Sequence, residues 1–589
     1  MKRILVLVVL SIFVCFAQTP IEKTSFVLKN KISSVSDGAK VLVWIFFKDK
    51  RNSLRKFYTT PKNVVSELSL KRREKVMDKS SLIDYTDLPV YTGYISKLQS
   101  EGFELKQISK WFNGVSGYIT KQQFDNIVGL SFVDKADIVY QFKKSIEIKE
   151  PKIDLNKVSP TNKPTGVNSL NYGPSLAQLQ QINVPALHNM GLKGQGITIC
   201  VMDAGVSLLS HEAFDSIKII ATYDFVNHRT YIGDDSGGYG EGSHGTMTLS
   251  LIGGYKLGQI IGPAYGSNFI LAKTENTYLN LDHPIEEDNW IAAMEWADSI
   301  GVDVTSTSLG YLTFDDTAAQ YSYTWQNMDG RTATITKGAV LAARKGIVVV
   351  NSAGNEGDDP THNTLDAPAD ADSIITVGAV TIGGGRSSFS SVGNTVDGRT
   401  KPDVMALGSN DYVANPYDIT GKGYTDIYNG TSFSCPLTAG VCAQLLSFNP
   451  KLTPIQIRDA LRNTASQHTV PDRHMGWGII DALAALNYIK DTDGINDNPV
   501  KPDNFILYQN YPNPFNPTTK IKYFVSQGSN VRINLYNILG SQIITLYEGF
   551  AAAGDHELVL DASKLSSGVY FVNFSAGDYQ KAIKITLLK

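Results

Sequence analysis

At 589 residues, with 50 glycines and 42% hydrophobic residues, the chain is too long for one core and apolar enough for about three domains. A formal net charge of −3 gives no basic face for nucleic acid or an anionic membrane surface. Four cysteines are too few for a disulfide-stapled scaffold of this size.

Lys2-Arg3 precede an apolar run from Ile4 to Phe16 and then Ala17-Gln18, which predicts a signal peptide over residues 1–17. The run is short for a membrane span, and Phe13-Val14 before Cys15 argue against a lipoprotein site. Cleavage leaves Cys200, Cys435 and Cys442. Cys435 and Cys442 fall on one predicted helix, about 10 Å apart along its axis, too far to bridge. They read as buried apolar thiols.

Residues 18–143 are predicted as a small α+β unit. Val41 to Phe47 is a β-rich strand, Ser66 to Met77 a basic helix-favouring stretch, Phe103 to Ile119 strand-like, and Lys121 to Val128 a helix ending at Gly129. Residues 144–175, with Pro151, Pro160 and Pro164 among polar residues, predict a flexible linker where a protease cuts.

From 176 to 490, short apolar runs recur at Ile197–Met202, Phe269–Ala272, Val302–Leu309, Ile347–Val350 and Ile374–Val377. Helical stretches such as Ile285–Ile300 and Gly338–Arg344 lie between them. Continuous β-branched runs alternating with helices predict a mainly parallel sheet buried on both faces, with the active site at the strand ends. A polar stretch, 491–502, leads to residues 503–589, where Tyr511-Pro512-Asn513-Pro514-Phe515-Asn516-Pro517 opens a series of alternating runs. Those runs, Val531–Tyr536, Gln542–Leu546, His556–Leu560 and Gly568–Phe574, predict an all-β sandwich.

Four polar residues stand out in the α/β region. Asp203 terminates the first buried strand, where a carboxylate without a partner is costly; a strand-end turn is the plainer reading. His244 lies between Ser243 and Gly245, at the start of a small-residue helix or in a surface loop. Asn355, after the Ile347–Val350 strand, is either a turn residue or the neutral donor that an oxyanion hole requires. Ser432 precedes an apolar run, Leu437 to Phe448, with Pro436 expected in the first turn of its helix. Thr431 or Ser432 can cap that helix, or Ser432 can be a nucleophile favoured by orphan N–H groups.

Taken together, Asp203, His244 and Ser432 give the order Asp–His–Ser, which differs from the orders of chymotrypsin and of α/β-hydrolases. The region resembles the subtilisin-like serine proteases (subtilases) in Val201-Met202-Asp203-Ala204-Gly205, Ser243-His244-Gly245-Thr246, Ser352-Ala353-Gly354-Asn355-Glu356-Gly357 and Gly430-Thr431-Ser432-Phe433-Ser434-Cys435-Pro436. Thr376–Ala379 and Asp397–Asp403 are similar to the family as well. The resemblance implies a three-layer α/β/α catalytic domain over residues 176–490, behind an N-terminal α+β propeptide. It also implies roles: Ser432 as nucleophile, His244 as acid and base, Asp203 as its partner, and Asn355 with the Ser432 N–H as oxyanion donors. Ser308-Leu309-Gly310 would pair with substrate backbone, and Ser352-Ala353-Gly354 would face it across the primary specificity cleft. Tyr311 departs from the glycine common in the family, and Cys435 from another small residue, which would leave the enzyme open to thiol reagents.

The tail resembles the type IX secretion sorting domain of Bacteroidetes-type bacteria, through the proline-spaced leader, Gly568-Val569-Tyr570 and Ile583–Lys589. A carbohydrate-binding or structural sandwich is the alternative. The expected protein is a secreted or surface-attached endopeptidase made as a zymogen. Its expected partners are protein or peptide substrates, its own propeptide as inhibitor and the outer-membrane secretion machinery, with no nucleic acid. The chemistry needs no cofactor. Asp234, Asp235 and Glu241 offer a structural calcium site or merely a solvated acidic loop. The rival reading is a catalytically inactive binding or adhesion protein on the same scaffold. A lipase or esterase would require a Gly-x-Ser-x-Gly elbow, which Ser432 lacks.

Overall fold

The computed structural model describes residues 23–51, 60–139, 141–142, 168, 170–234, 242–275, 285–310, 323–493, 506–507, 510, 512–525, 528–552, 554–576 and 579–588. The expected signal peptide, Tyr311, Asp235, Glu241 and most of both linkers lie outside these residues. The chain divides into two compact units, Met1–Tyr488 and Ile489–Lys589.

The first unit begins with helix α1 (Phe26–Ser34), strand β1 (Lys40–Phe47), helices α2 (Glu67–Arg73) and α3 (Thr92–Ser100), strands β2 (Glu104–Ser109) and β3 (Gly114–Thr120), helix α4 (Lys121–Gly129) and strand β4 (Val133–Ile138). The strands form an antiparallel sheet in the order β2-β3-β1-β4. β1 is apolar from Val41 to Phe47 for a reason that period-two alternation explains. Val41, Val43, Ile45 and Phe47 enter a core shared with Leu28, Tyr94, Leu98 and Ile127. Leu42 and Trp44 point the other way, into the core that contains Trp290, Ile291 and Met294 of the following α/β region. One face of the small sheet therefore carries its own helices, and the other covers its neighbour.

The α/β region contributes β5 (Thr198–Asp203), β6 (Lys218–Asp224), α5 (Ser243–Gly253), β7 (Asn268–Lys273), α6 (Glu287–Ile300), β8 (Val304–Thr307), α7 (Thr334–Arg344), β9 (Val348–Ser352), β10 (Ile375–Val380), β11 (Val404–Leu407), α8 (Thr431–Phe448) and α9 (Pro454–Thr464). Seven strands form a parallel sheet in the order β11-β10-β9-β8-β5-β7-β6. Cys200 and Met202 of β5 pack with Trp290 and Ile291 of α6 and Ala339 of α7; Ile199 and Val201 face the opposite side. Helices α5 and α8 pack on each other and against the sheet, completing three layers. The chain leaves β5 for β6 and β7 on one side, then crosses to β8 on the other. The carboxyl ends of β5 and β8 therefore flank the crevice where ligands bind in open parallel sheets.

The second unit holds β12 (Ile506–Leu507), β13 (Thr518–Val525), β14 (Ser529–Tyr536), β15 (Gln542–Ala551), β16 (Gly554–Asp561), β17 (Gly568–Ala576) and β18 (Tyr579–Leu587). They form two antiparallel sheets, β12-β13-β16 and β15-β14-β17-β18. Alternate residues, Ile521 and Tyr523, Val531 and Ile533, Val572 and Phe574, Ile583 and Ile585, meet in one core, as the alternating pattern predicts. Phe515 of the proline-spaced leader is buried, and its N–H and carbonyl pair with Thr586 and Leu588.

Candidate active site

Asp203, the last residue of β5, and His244, in the first turn of α5, are both buried, at 2% and 4% exposure, which removes the surface-loop reading of His244. His244 Nδ1 and Asp203 Oδ1 are hydrogen-bonded at 2.8 Å. The Ala204 N–H donates to the same oxygen at 2.7 Å, and the Thr248 hydroxyl donates to Oδ2 at 3.0 Å. This close approach depends on Gly245: a Cβ there would lie 1.9 Å from the Gly205 carbonyl oxygen. Thr248 is a site residue the sequence reading missed. Its signal was its spacing, one helical turn after His244 and hence on the same face.

Ser432 lies in the first turn of α8, whose residues 431–446 are all buried. A helix buried all round has no amphipathic period, so its start was misread. The helix begins at Thr431, not near Pro436, and its N-cap is Gly430 without a side-chain cap. Neither Thr431 nor Ser432 caps it, and Pro436 stands inside the helix. Pro436 cannot supply the N–H that would bond the Ser432 carbonyl; the Ser308 hydroxyl donates to that carbonyl instead, at 2.9 Å. The Ser432 hydroxyl in turn donates to the Ser308 carbonyl at 3.2 Å. Ser308 thus ties the start of α8 to the carboxyl end of β8.

Asn355 follows β9 and reaches the same helix start. Its Oδ1 accepts from the Thr431 N–H at 2.8 Å and lies 3.0 Å from the Thr431 hydroxyl. With the oxygen so engaged, the amide nitrogen is the free end. A Cβ on Gly430 would lie 3.6 Å from Asn355 Nδ2 and 3.7 Å from the Ser432 nitrogen, so the two donors border the same side of Gly430. Ser432, at the second helical position, has an N–H that no intrahelical carbonyl can take.

The two expected substrate-binding segments run on from neighbouring strand ends. Ser308-Leu309-Gly310 continues β8, Ser352-Ala353-Gly354 ends β9, and Asn351 Nδ2 donates to the Leu309 carbonyl at 3.1 Å. Asp366 is a second residue the sequence reading missed. Its N–H donates to the Ala353 carbonyl at 3.1 Å. Its carboxylate stands where side chains at Gly310 and Gly354 would be: Cβ atoms there would lie 2.4 and 2.6 Å from Asp366 Oδ2. Gly354 has φ +114°, a conformation that also demands glycine. Burial, with the neighbouring Glu356 carboxylate, holds the Asp366 pKa well above the usual carboxylate range.

Cys200, Cys435 and Cys442 are free, buried thiols. Burial pushes Cys435 up to about 12, so the thiol beside the helix start is not the reagent-sensitive group its position suggested. Asp234 Oδ1 accepts from the Gly242 N–H at 2.6 Å, just ahead of His244. Among the described residues no group of three or more His, Cys, Asp or Glu side chains is arranged to hold a metal ion.

Residues 194–478 match the Subtilase family, residues 42–157 the Peptidase S8 propeptide domain of Bacteroidota, and residues 509–587 a secretion system C-terminal sorting domain. Subtilisin from Bacillus pumilus is 32% identical over 308 residues, 52% of this chain and 97% of the relative. Subtilisin NAT from Bacillus subtilis subsp. natto is 32% identical over 52% of this chain and 70% of its own. The structure of fervidolysin from Fervidobacterium pennivorans, a keratinolytic enzyme related to subtilisin, is similar in fold. It covers 94% of this chain and 77% of its own, at TM-score 0.55 and 19% identity. Sequence identity over nearly the full length of a subtilisin, on a parallel sheet with these residues at its crevice, leads to one conclusion: the chain belongs to the subtilase family.

Proposed function

We propose that this subtilisin-like serine protease is a secreted endopeptidase, made as a zymogen, that hydrolyses peptide bonds through Ser432, His244 and Asp203. The observation that carries the reading is the bonded Asp203–His244 pair together with the setting of Asn355 at the helix start that bears Ser432. Asp203 is held by Thr248 and the Ala204 amide and bonds His244, while Asn355 is fixed by Thr431, and its amide nitrogen and the Ser432 nitrogen lie 3.6 and 3.7 Å from where a Gly430 Cβ would stand.

Ser432 Oγ attacks the scissile carbonyl carbon as its proton passes to His244. For that step the hydroxyl leaves the Ser308 carbonyl, to which it donates in the resting site. Asp203 keeps Nδ1 protonated and stabilises the imidazolium. The oxyanion that forms accepts from Asn355 Nδ2 and the Ser432 N–H. Collapse breaks the C–N bond, His244 gives its proton to the departing amine, and an acyl-enzyme on Ser432 remains. Water, deprotonated by His244, then releases the acid and restores the serine. No step calls for a metal or cofactor; calcium, if bound, would serve the fold.

The propeptide match and the buried contact of its sheet with α6 support inhibition in cis. In addition, the short strand Gln141–Phe142 pairs antiparallel with Ile285–Glu286, just before α6. Cleavage in the linker 144–175 would free the cleft. The C-terminal sorting domain indicates export by type IX secretion to the medium or cell surface, and the signal peptide over 1–17 would supply the first membrane crossing. A non-catalytic scaffold has no need of the Asp203–His244–Thr248 bonding or of an oriented Asn355.

The test is casein hydrolysis by the matured protein and by its Ser432→Ala variant. Hydrolysis in the first and none in the second is expected. An inactive protein with its propeptide removed would overturn the reading in favour of the binding scaffold.

A further inference from the structure

We infer that Asp366 makes this enzyme select lysine or arginine on the amino side of the cleaved bond, with the substrate's cation pairing the Asp366 carboxylate at the cleft floor. The inference rests on the protease reading above and on Ser308–Gly310 and Ser352–Gly354 forming the walls of the primary specificity cleft.

Asp366 is only 4% exposed, and among the described residues no donor meets its Oδ1. A buried carboxylate without a partner is costly in a structural role. Its position is also particular. Gly310 and Gly354, from the two segments taken as the cleft walls, are the residues whose missing side chains make room for it. Glu356, half-buried and next to the oxyanion donor Asn355, adds a second carboxylate close enough to raise the Asp366 pKa.

An extended lysine or arginine side chain places its apolar stem along glycine walls and its charge at the floor. There it completes a charge-assisted pair that the empty cleft lacks. A phenylalanine or leucine in the same cleft would leave the carboxylate dry and unpaired, and a glutamate would add a third negative charge. Discrimination of this kind comes as much from rejecting the wrong side chain as from binding the right one.

The test is kcat/KM for succinyl-Ala-Ala-Pro-X-p-nitroanilides with X as Lys, Arg, Phe, Leu or Glu, on the matured protein and on Asp366→Asn. Lys and Arg are expected to exceed Phe and Leu by about 10- to 100-fold, with Glu the poorest. In Asp366→Asn the Lys-to-Phe ratio should fall by at least about 10-fold. Benzamidine should compete with the peptides in the unmutated enzyme. If Asp366→Asn does not fold, the unmutated profile and the benzamidine competition carry the test alone. An enzyme that labels with a fluorophosphonate and cleaves casein but prefers Phe or Leu overturns this inference and leaves the protease reading standing. Absence of labelling and of casein cleavage overturns both.

Discussion

Among the carboxylates that the first unit buries, those under the propeptide and the one between the substrate-binding segments are treated in opposite ways. Under the propeptide, α6 presents Glu287, Asp288, Glu295 and Asp298, all buried. Trp44 and Tyr323 donate to Glu287, the Ser116 hydroxyl to Asp288, and the Ser109 hydroxyl with the Lys110 and Trp111 amides to Glu295. Arg72 and Arg73 both bond Asp298, and Arg73 also grips Asp87 with two bonds of 2.8 Å. At Asp366, no donor among the described residues meets Oδ1. Carboxylates saturated by donors from a covering domain describe a closed interface. A carboxylate set between two glycines, with one oxygen unmet by any described donor, is the place proposed for a cation that comes and goes.

The largest effect expected is at Ser432, the proposed nucleophile. In subtilisin itself, removing the triad serine lowers kcat by about 10⁶, and Ser432→Ala is expected to lose casein hydrolysis on a comparable scale. Next is Asn355, the proposed oxyanion donor. Loss of the side-chain donor in subtilisin reduces kcat by about 10²–10³, and Asn355→Leu should fall in that range with KM little changed in steady-state assays.

The interface side of the comparison is best probed in a Ser432→Ala background, where the propeptide stays attached. Arg73→Ala leaves Asp87 and Asp298 buried and short of a partner, so urea unfolding should show a loss of about 3–5 kcal/mol. A smaller effect concerns pH. Burial raises Glu287 from an ordinary 4.5 to about 8. A raised pKa means that its contribution to stability is full below 4.5 and is lost as pH rises through about 8. The urea midpoint should therefore fall between neutral and mildly alkaline pH, and Glu287→Gln should flatten that fall. The smallest effect is at the Ser308–Ser432 tie, where Ser308→Ala should cost about 1 kcal/mol in the same unfolding assay.

The sequence carried the catalytic side of this contrast better than the interface. Asp203, His244, Asn355 and Ser432, the proposed catalytic residues, are each framed by glycines or by a strand end, so short motifs single them out. The central strands were legible because a strand buried on both faces must be continuously apolar. The sheet's edge strand Lys218–Asp224 was not, because its exposed positions break that run. The start of α8 was misplaced because a helix buried all round offers no period to follow. Asp366 gave no local signal. Its environment is made by Gly310 and Gly354, 56 and 12 residues away in sequence, and only the fold brings them together. The apolar run of β1 announced a strand, but that its second face covers α6 required the structure.

The most direct measurement of the central claim is the site of covalent capture. The matured protein, treated with a fluorophosphonate and digested, should carry the adduct on the peptide containing Ser432, and His244→Ala should abolish the adduct. An adduct on another serine, or capture at Ser432 that is indifferent to His244, would contradict the account.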